Sequence, residues 1–490
     1  MILYAYREIP YDLLRNLKYY GNILIFISFR YIIKIIFKLE LIWYSVPINS
    51  GRINTRYMRH DMHRLRIAVI VVTIMSLQSD LGYSQEQFSD RQIDSLAKYG
   101  IQLYSEGKYK EAIAVLDSIV DSAPGSLVKY YLGLSYSAVN KIDIGLIHLG
   151  SAVRRDSLNI GYRFQYARNL ALSGDTRNAQ MQYEMIIKLD SAYIPAYFQL
   201  GVLLYDSKAY QQAGEVFERL HRLNPHDFLT DYYLGIIHIA LSDNKSAFPY
   251  LSRCVSLNSR YIPGLSALAS LYFADSEYAG SLRLYLRAIE LQPDNPEFYH
   301  KASVTFCKMK KNDSAFVYSR KAVEFDSSNS TFQAQYGYTA LLTEHYEIAR
   351  DAYQKAIAKE PTEPTYYINL ALAYTKLDST ENTIRAYRRA IQGYHPESIG
   401  MVHYRLGSLF YTIKKYRQAA VECRKAIDLD PRNSDAYFYL ALAYDRLKDK
   451  KNAIRNYGLY IEQAHLDSVH IDNEQLKQAR ARLDFLKKSK

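Results

Sequence analysis

Few residues of this chain are placed to do covalent or metal chemistry. His221 and His226 stand five apart without a Cys or carboxylate at ligand spacing. Glu344-His345-Tyr346-Glu347 lacks the second histidine of a zinc-protease helix. Cys254, Cys307 and Cys423 are odd in number and far apart, which gives no disulfide framework; they read as small buried hydrophobes. Ser, His and Asp are scattered, so no nucleophilic triad is expected, and the glycines form no phosphate loop. Neither a metal nor a cofactor is expected, and the chain reads as non-enzymatic. What it has in excess is tyrosine, 48 of them. A tyrosine pairs a large apolar body with a hydroxyl that can stay wet, which suits the wall of an open groove.

The elements that carry these rings repeat. In residues 194–227 apolar residues return every three or four positions, which predicts helices over Pro195–Tyr205 and Tyr210–Leu223. Gly201 and Ala213 are small residues, one on each helix, where two backbones approach. The first of these positions recurs at Gly100, Gly133, Ala167, Gly201, Gly235, Ala269, Ser303, Gly337, Ala371, Gly407 and Ala441, at spacings of 33, then 34 seven times, then 36 and 34. The second keeps step from Ala112 to Ala453. That gives eleven units, each two helices long. A bulky slot on the second helix is filled by Leu, Phe or Tyr except at Ser319 and Cys423, where looser packing is expected. Pro124, Pro225, Pro293, Pro361 and Pro431 stop second helices, and Asp156, Asp190 and Asp326 are expected to cap the helix that follows. Two extra residues near Gly393 to Ser398 are expected to lengthen one loop.

This pattern resembles the tetratricopeptide repeat, a helix-turn-helix unit of about 34 residues. The resemblance implies an all-α fold, a right-handed alpha-alpha superhelix closed by a C-terminal capping helix. It also implies that first helices line a concave groove in which a protein or peptide segment lies. Counting three before and four beyond the first small column gives the expected groove residues: Tyr130, Phe164, Phe198, Tyr232, His300, Ile368, Tyr404 and Phe438 in the earlier place, and Tyr104, Tyr205, Phe273 and Tyr411 in the later one. Arg168, Lys301 and Arg405 are isolated cations beside them. The Lys and Asn clamp with which some relatives grip a C-terminal carboxylate is absent, its places being held by pairs such as Tyr130/Leu134 and Phe164/Arg168.

The net charge of +12 divides into 11 Lys+Arg against 5 Asp+Glu over residues 1–84 and 51 against 45 over the remaining 406. Such a spread argues against a nucleic-acid partner. Residues 1–57 are expected to be untranslated or to form a disordered or membrane-surface leader. Residues 58–84 read as a secretory signal: Arg64 and Arg66, the apolar stretch Ile67–Leu77, then Gly82-Tyr83-Ser84 with small residues at the peptidase positions. The expected layout continues with a linker over 85–92, eleven repeats over 93–465 and a cap over 466–490. The expected location is the bacterial periplasm or the exterior after cleavage near Ser84; the membrane enters only if Ile67–Leu77 is retained. A scaffold binding a partner segment in its groove is the leading functional expectation. A membrane-anchored sensory or adaptor subunit, and an acceptor-binding subunit of a sugar transferase system, are the alternatives.

Overall fold

The computed structural model describes residues 89–123, 125–393, 396–466 and 473–488. The expected leader, the signal segment and Pro124 lie outside them. The described residues form 23 α-helices. In pairs they are α1 (Asp90–Ser105) and α2 (Tyr109–Ile119); α3 (Leu127–Ala138) and α4 (Ile142–Arg155); α5 (Ile160–Leu172) and α6 (Thr176–Leu189); α7 (Ile194–Asp206) and α8 (Tyr210–Leu223). Then come α9 (Phe228–Ala240) and α10 (Asn244–Leu257); α11 (Ile262–Ala274) and α12 (Tyr278–Leu291); α13 (Pro296–Lys308) and α14 (Asn312–Phe325); α15 (Ser330–Leu342) and α16 (Tyr346–Lys359). The last are α17 (Pro364–Lys376) and α18 (Thr380–Gly393); α19 (Pro396–Thr412) and α20 (Tyr416–Leu429); α21 (Ser434–Arg446) and α22 (Lys450–Leu466); and a single α23 (Asn473–Lys488). Each helix packs mainly on its neighbours in sequence, and several first helices also touch the first helix of the next pair. This is an all-α solenoid, in which each unit buries its apolar face only against the units beside it.

Both small columns are buried throughout. The reason for glycine in the first is steric. The bulky slot lies sixteen positions later, and a Cβ on Gly100 would sit 2.5 Å from Leu116, on Gly133 2.7 Å from Leu149, and on Gly337 2.8 Å from Tyr353. Neither of the two expected loose repeats is left open. A Cβ on Gly407 would lie 2.6 Å from Cys423 Sγ. At Ser319 the missing bulk is replaced by hydrogen bonds: its Oγ meets Thr339 Oγ1 at 2.7 Å, while Ser303 Oγ donates to the Ala315 carbonyl at 2.8 Å.

Four boundary expectations need correction. Asp190 and Asp326 do not cap the following helices; each carboxylate accepts the amide two residues on, closing an Asx turn. Helix caps come later in the linker, as at Asn159, Asp227 and Asn329, which accept from first-turn amides. Asp156 likewise sits at the end of α4, too early to cap α5. Near residue 393 the extra residues do not simply lengthen a loop: α19 has 17 residues where most first helices have 13. Pro396 stands at its first position, where a missing amide hydrogen costs nothing.

Two further columns hold the repeats in register. Seven positions past the first small column the backbone is left-handed in every unit, at Gly107 and Gly174 and at nine non-glycine residues including Lys208 and Lys414. Four positions before it, in five of the units, a polar side chain reaches back to the inter-repeat turn. Tyr197, Tyr299 and Tyr367 donate their hydroxyls to the carbonyls of Ser191, Pro293 and Pro361, and Gln333 and Arg163 donate to those of Ser327 and Ser157. Each spans six residues, satisfying a carbonyl that a helix end leaves orphaned. At the far end, Ala479, Leu483 and Leu486 of α23 cover Phe438, Tyr457 and Tyr460, and Arg482 makes a two-pronged pair with Asp445 at 2.6 and 2.9 Å.

Candidate functional site

The aromatic side chains of the first helices meet across successive repeats. Tyr104 lies 5.4 Å from Tyr131, Tyr131 5.2 Å from Tyr130, and Tyr130 4.5 Å from Tyr162. Phe164 packs edge-on against Tyr193 at 5.7 Å. Phe198, Tyr205 and Tyr232 all contact Tyr233, at 5.6, 5.9 and 5.5 Å, and Tyr232 reaches Tyr261 at 5.2 Å. Phe273 meets Tyr278 at 5.4 Å. Edge-to-face geometry of this kind adds about 0.5–1.5 kcal/mol per pair beyond area burial and stiffens the surface. A second group lies near the C-terminus, where Tyr404 and Tyr411 both stand 5.9 Å from Tyr439. All of these expected site rings are half-buried, so one side of each is backed by protein. Phe438 differs: it is 5 % exposed and packs on Tyr460 in the terminal core, so it offers little to a partner.

Burial raises the hydroxyl pKa of Tyr104, Tyr205 and Tyr232, and pushes that of Tyr130 up to about 12, with neighbouring tyrosines adding to the effect. These hydroxyls, protonated at neutral pH even at the ordinary tyrosine value, are held still further from ionisation and are available as hydrogen-bond donors. The cations are weakly tied. Arg168 is exposed and reaches Gln165 only at 3.5 Å. Lys301 lies 3.6 Å from Glu297 and sits over the Tyr285 ring.

Two features escaped sequence reasoning. The tyrosines two positions before the small column, Tyr131, Tyr233 and Tyr439, are the bridges between the expected residues; their recurrence at one register was the available signal. His221, thought to lack a carboxylate, lies 3.2 Å from the fully buried Asp231, which also holds Arg253 through two side-chain contacts. His300, expected among the groove residues, lies beside the Phe332 ring with a buried Nδ1 that has no hydrogen-bond partner. Among the described residues no group of three or more His, Cys, Asp or Glu could hold a metal ion, and no helix is long and apolar enough to cross a membrane.

Repeated helix pairs with two buried small columns, an aromatic first-helix face and a terminal covering helix define a repeat solenoid of the protein-interaction kind. Family models described as tetratricopeptide repeat match residues 364–392, 402–433 and 422–455. The chain therefore carries tetratricopeptide repeats, and eleven helix pairs of the same build stand in tandem among the described residues. It is 21 % identical over 288 residues to the BBSome complex member BBS4 of Bos taurus, covering 58 % of this chain and 54 % of that one. It is also 21 % identical over 422 residues to a TPR repeat-containing protein of Methanocaldococcus jannaschii, covering 86 % and 65 %. The chain spans about half the length of the first of these curated relatives. Among solved structures it is similar to yeast Tom70, at 16 % identity and a TM-score of 0.33 over 81 % of this chain and 96 % of that one. The C-terminal part of a TPR repeat-containing protein from Cytophaga hutchinsonii is also similar, at 16 % and 0.43 over 50 % and 99 %.

Proposed function

We propose that this protein is an exported, non-enzymatic scaffold that binds an extended segment of a partner protein along the aromatic face of its first helices. The observation that carries the reading is the succession of three clusters of half-buried rings between Tyr104 and Tyr261, each backed by core and held by its own ring contacts. Rings already fixed in place do not lose side-chain freedom when a partner docks, so modest contacts yield useful affinity. Aromatic residues of this kind dominate binding hot spots. One relative is by name a member of a complex, which supports the same reading.

Export rests on the sequence alone: Arg64 and Arg66, the apolar Ile67–Leu77 and the small residues before Gln85. The same apolar stretch, left uncut, would make the protein a membrane-held adaptor. N-terminal sequencing of exported material separates the two; Gln85 is expected, and an intact Met1 would contradict export by cleavage. For binding, the full chain is used as bait beside a Phe198→Ala/Tyr232→Ala variant. Loss of captured partner by about tenfold, as truncation of hot-spot residues gives, with unchanged far-UV circular dichroism is expected; equal capture rules the surface out.

A further inference from the structure

The basic excess of the array is not spread along it. Residues 376–425 hold 10 Lys+Arg against 4 Asp+Glu, while the rest of 85–490 holds 41 of each. Two of these cations, Arg388 on α18 and Arg417 at the start of α20, border a single open cleft whose other walls are Phe410, Gln418, Val421 and Glu422. Glu422 does not answer them. His403 Nδ1 lies 2.6 Å from one of its oxygens, and Lys425 donates to the other at 3.2 Å. Arg388 and Arg417 are both exposed and have no carboxylate partner among the described residues. The floor is apolar: the Phe410 ring is buried and Val421 is 45 % exposed.

We infer that this cleft, between the second helices of the ninth and tenth repeats, binds an acidic segment of a partner protein. Two planar guanidinium groups flanking one cleft match carboxylates, which they can grip in a two-pronged manner. Val421 and Phe410 receive an apolar side chain of the same segment. Nucleic acid fits less well, because the lining offers no exposed aromatic face on which bases could stack. A lipid surface is flat and would meet the rim without filling the floor. Apart from Phe410 near the end of α19, the cleft is lined by second-helix residues, and none of the proposed groove rings borders it, so the two surfaces can be tested independently.

The test uses the full chain and a fluorescently labelled dodecapeptide of alternating Glu and Leu, with a Lys-Leu peptide, a short DNA duplex and phosphatidylserine vesicles as further probes. The Glu-Leu peptide should bind, with affinity falling as salt is raised. Arg388→Glu/Arg417→Glu should weaken it by about tenfold or more and the Gln pair by less, as charge-assisted contacts are reversed or removed, with circular dichroism unchanged. The Phe198→Ala/Tyr232→Ala variant should bind it as the parent does. Three results would overturn the inference: no binding by the parent chain, equal binding by the charge-reversed variant, or variant-sensitive binding of DNA or vesicles in place of the peptide.

Discussion

The ring of Phe217 occupies the place where a side chain on Gly201 would begin: a Cβ there would lie 2.6 Å from the ring edge. The helices of the fourth repeat touch through that contact. Gly201→Ala gains about 1 kcal/mol of helix propensity but forces a fully buried ring to move, and overpacking of this kind costs about 1–3 kcal/mol. A lowered denaturant midpoint is expected. Gly214 in α8 is the control, since a Cβ there would meet Ile237 at an ordinary 3.6 Å. Gly214→Ala should therefore stabilise, by about 0.5–1 kcal/mol. Equal effects of the two substitutions would contradict the packing account.

Lys208 adopts φ of 62°, in the left-handed region that costs an L-residue about 1–2 kcal/mol. Lys208→Gly relieves this, less the extra freedom glycine has when unfolded, for a gain of about 0.5–1 kcal/mol. Asn140, at the same register, should gain less because asparagine tolerates the conformation. Thermal unfolding of both variants checks the ranking.

Arg253 neutralises a carboxylate, Asp231, that is wholly buried. Removing one partner of such a pair costs about 3–5 kcal/mol. Arg253→Met should approach the lower end, because His221 remains beside Asp231. Urea unfolding at pH 8 should show the larger loss, and at pH 5.5 the smaller one, because without Arg253 a protonated His221 can take over.

His148, His221 and His300 all have pKa values depressed by burial, with Arg253 adding to the effect at His221. Unfolded, each would bind a proton near pH 6.5; folded, each resists. The unfolded state therefore holds more protons below that pH. These groups make stability fall as pH drops through 6.5, until the folded-state values are passed. His300→Phe should shrink the difference in urea midpoint between pH 8 and pH 5.5. An unchanged difference would show that His300 is not held neutral.

The period and the two packing columns were legible because one physical demand, room for the neighbouring helix, selects Gly, Ala or Ser at every unit of both columns except Thr383. Other recurring features were hidden because unlike residues meet the same demand. Tyr197, Gln333 and Arg163 all satisfy a turn carbonyl, yet share no side-chain chemistry that a pattern search would group. Likewise the left-handed turn holds glycine only at Gly107 and Gly174. Ser319 looked like a void because bulk was the expected filler, whereas a hydrogen bond to Thr339 fills that place. The cleft at Arg388 was averaged away by reading charge over the whole array.

The most direct test of the account is site-specific photocrosslinking to a partner recovered with the full chain. A benzophenone side chain is placed at Tyr232, among the first-helix rings, or at Arg219, exposed on a second helix. Crosslinking at Tyr232 to one short stretch of the partner, and little at Arg219, is the predicted result. Strong crosslinking at Arg219 with none at Tyr232 would contradict it.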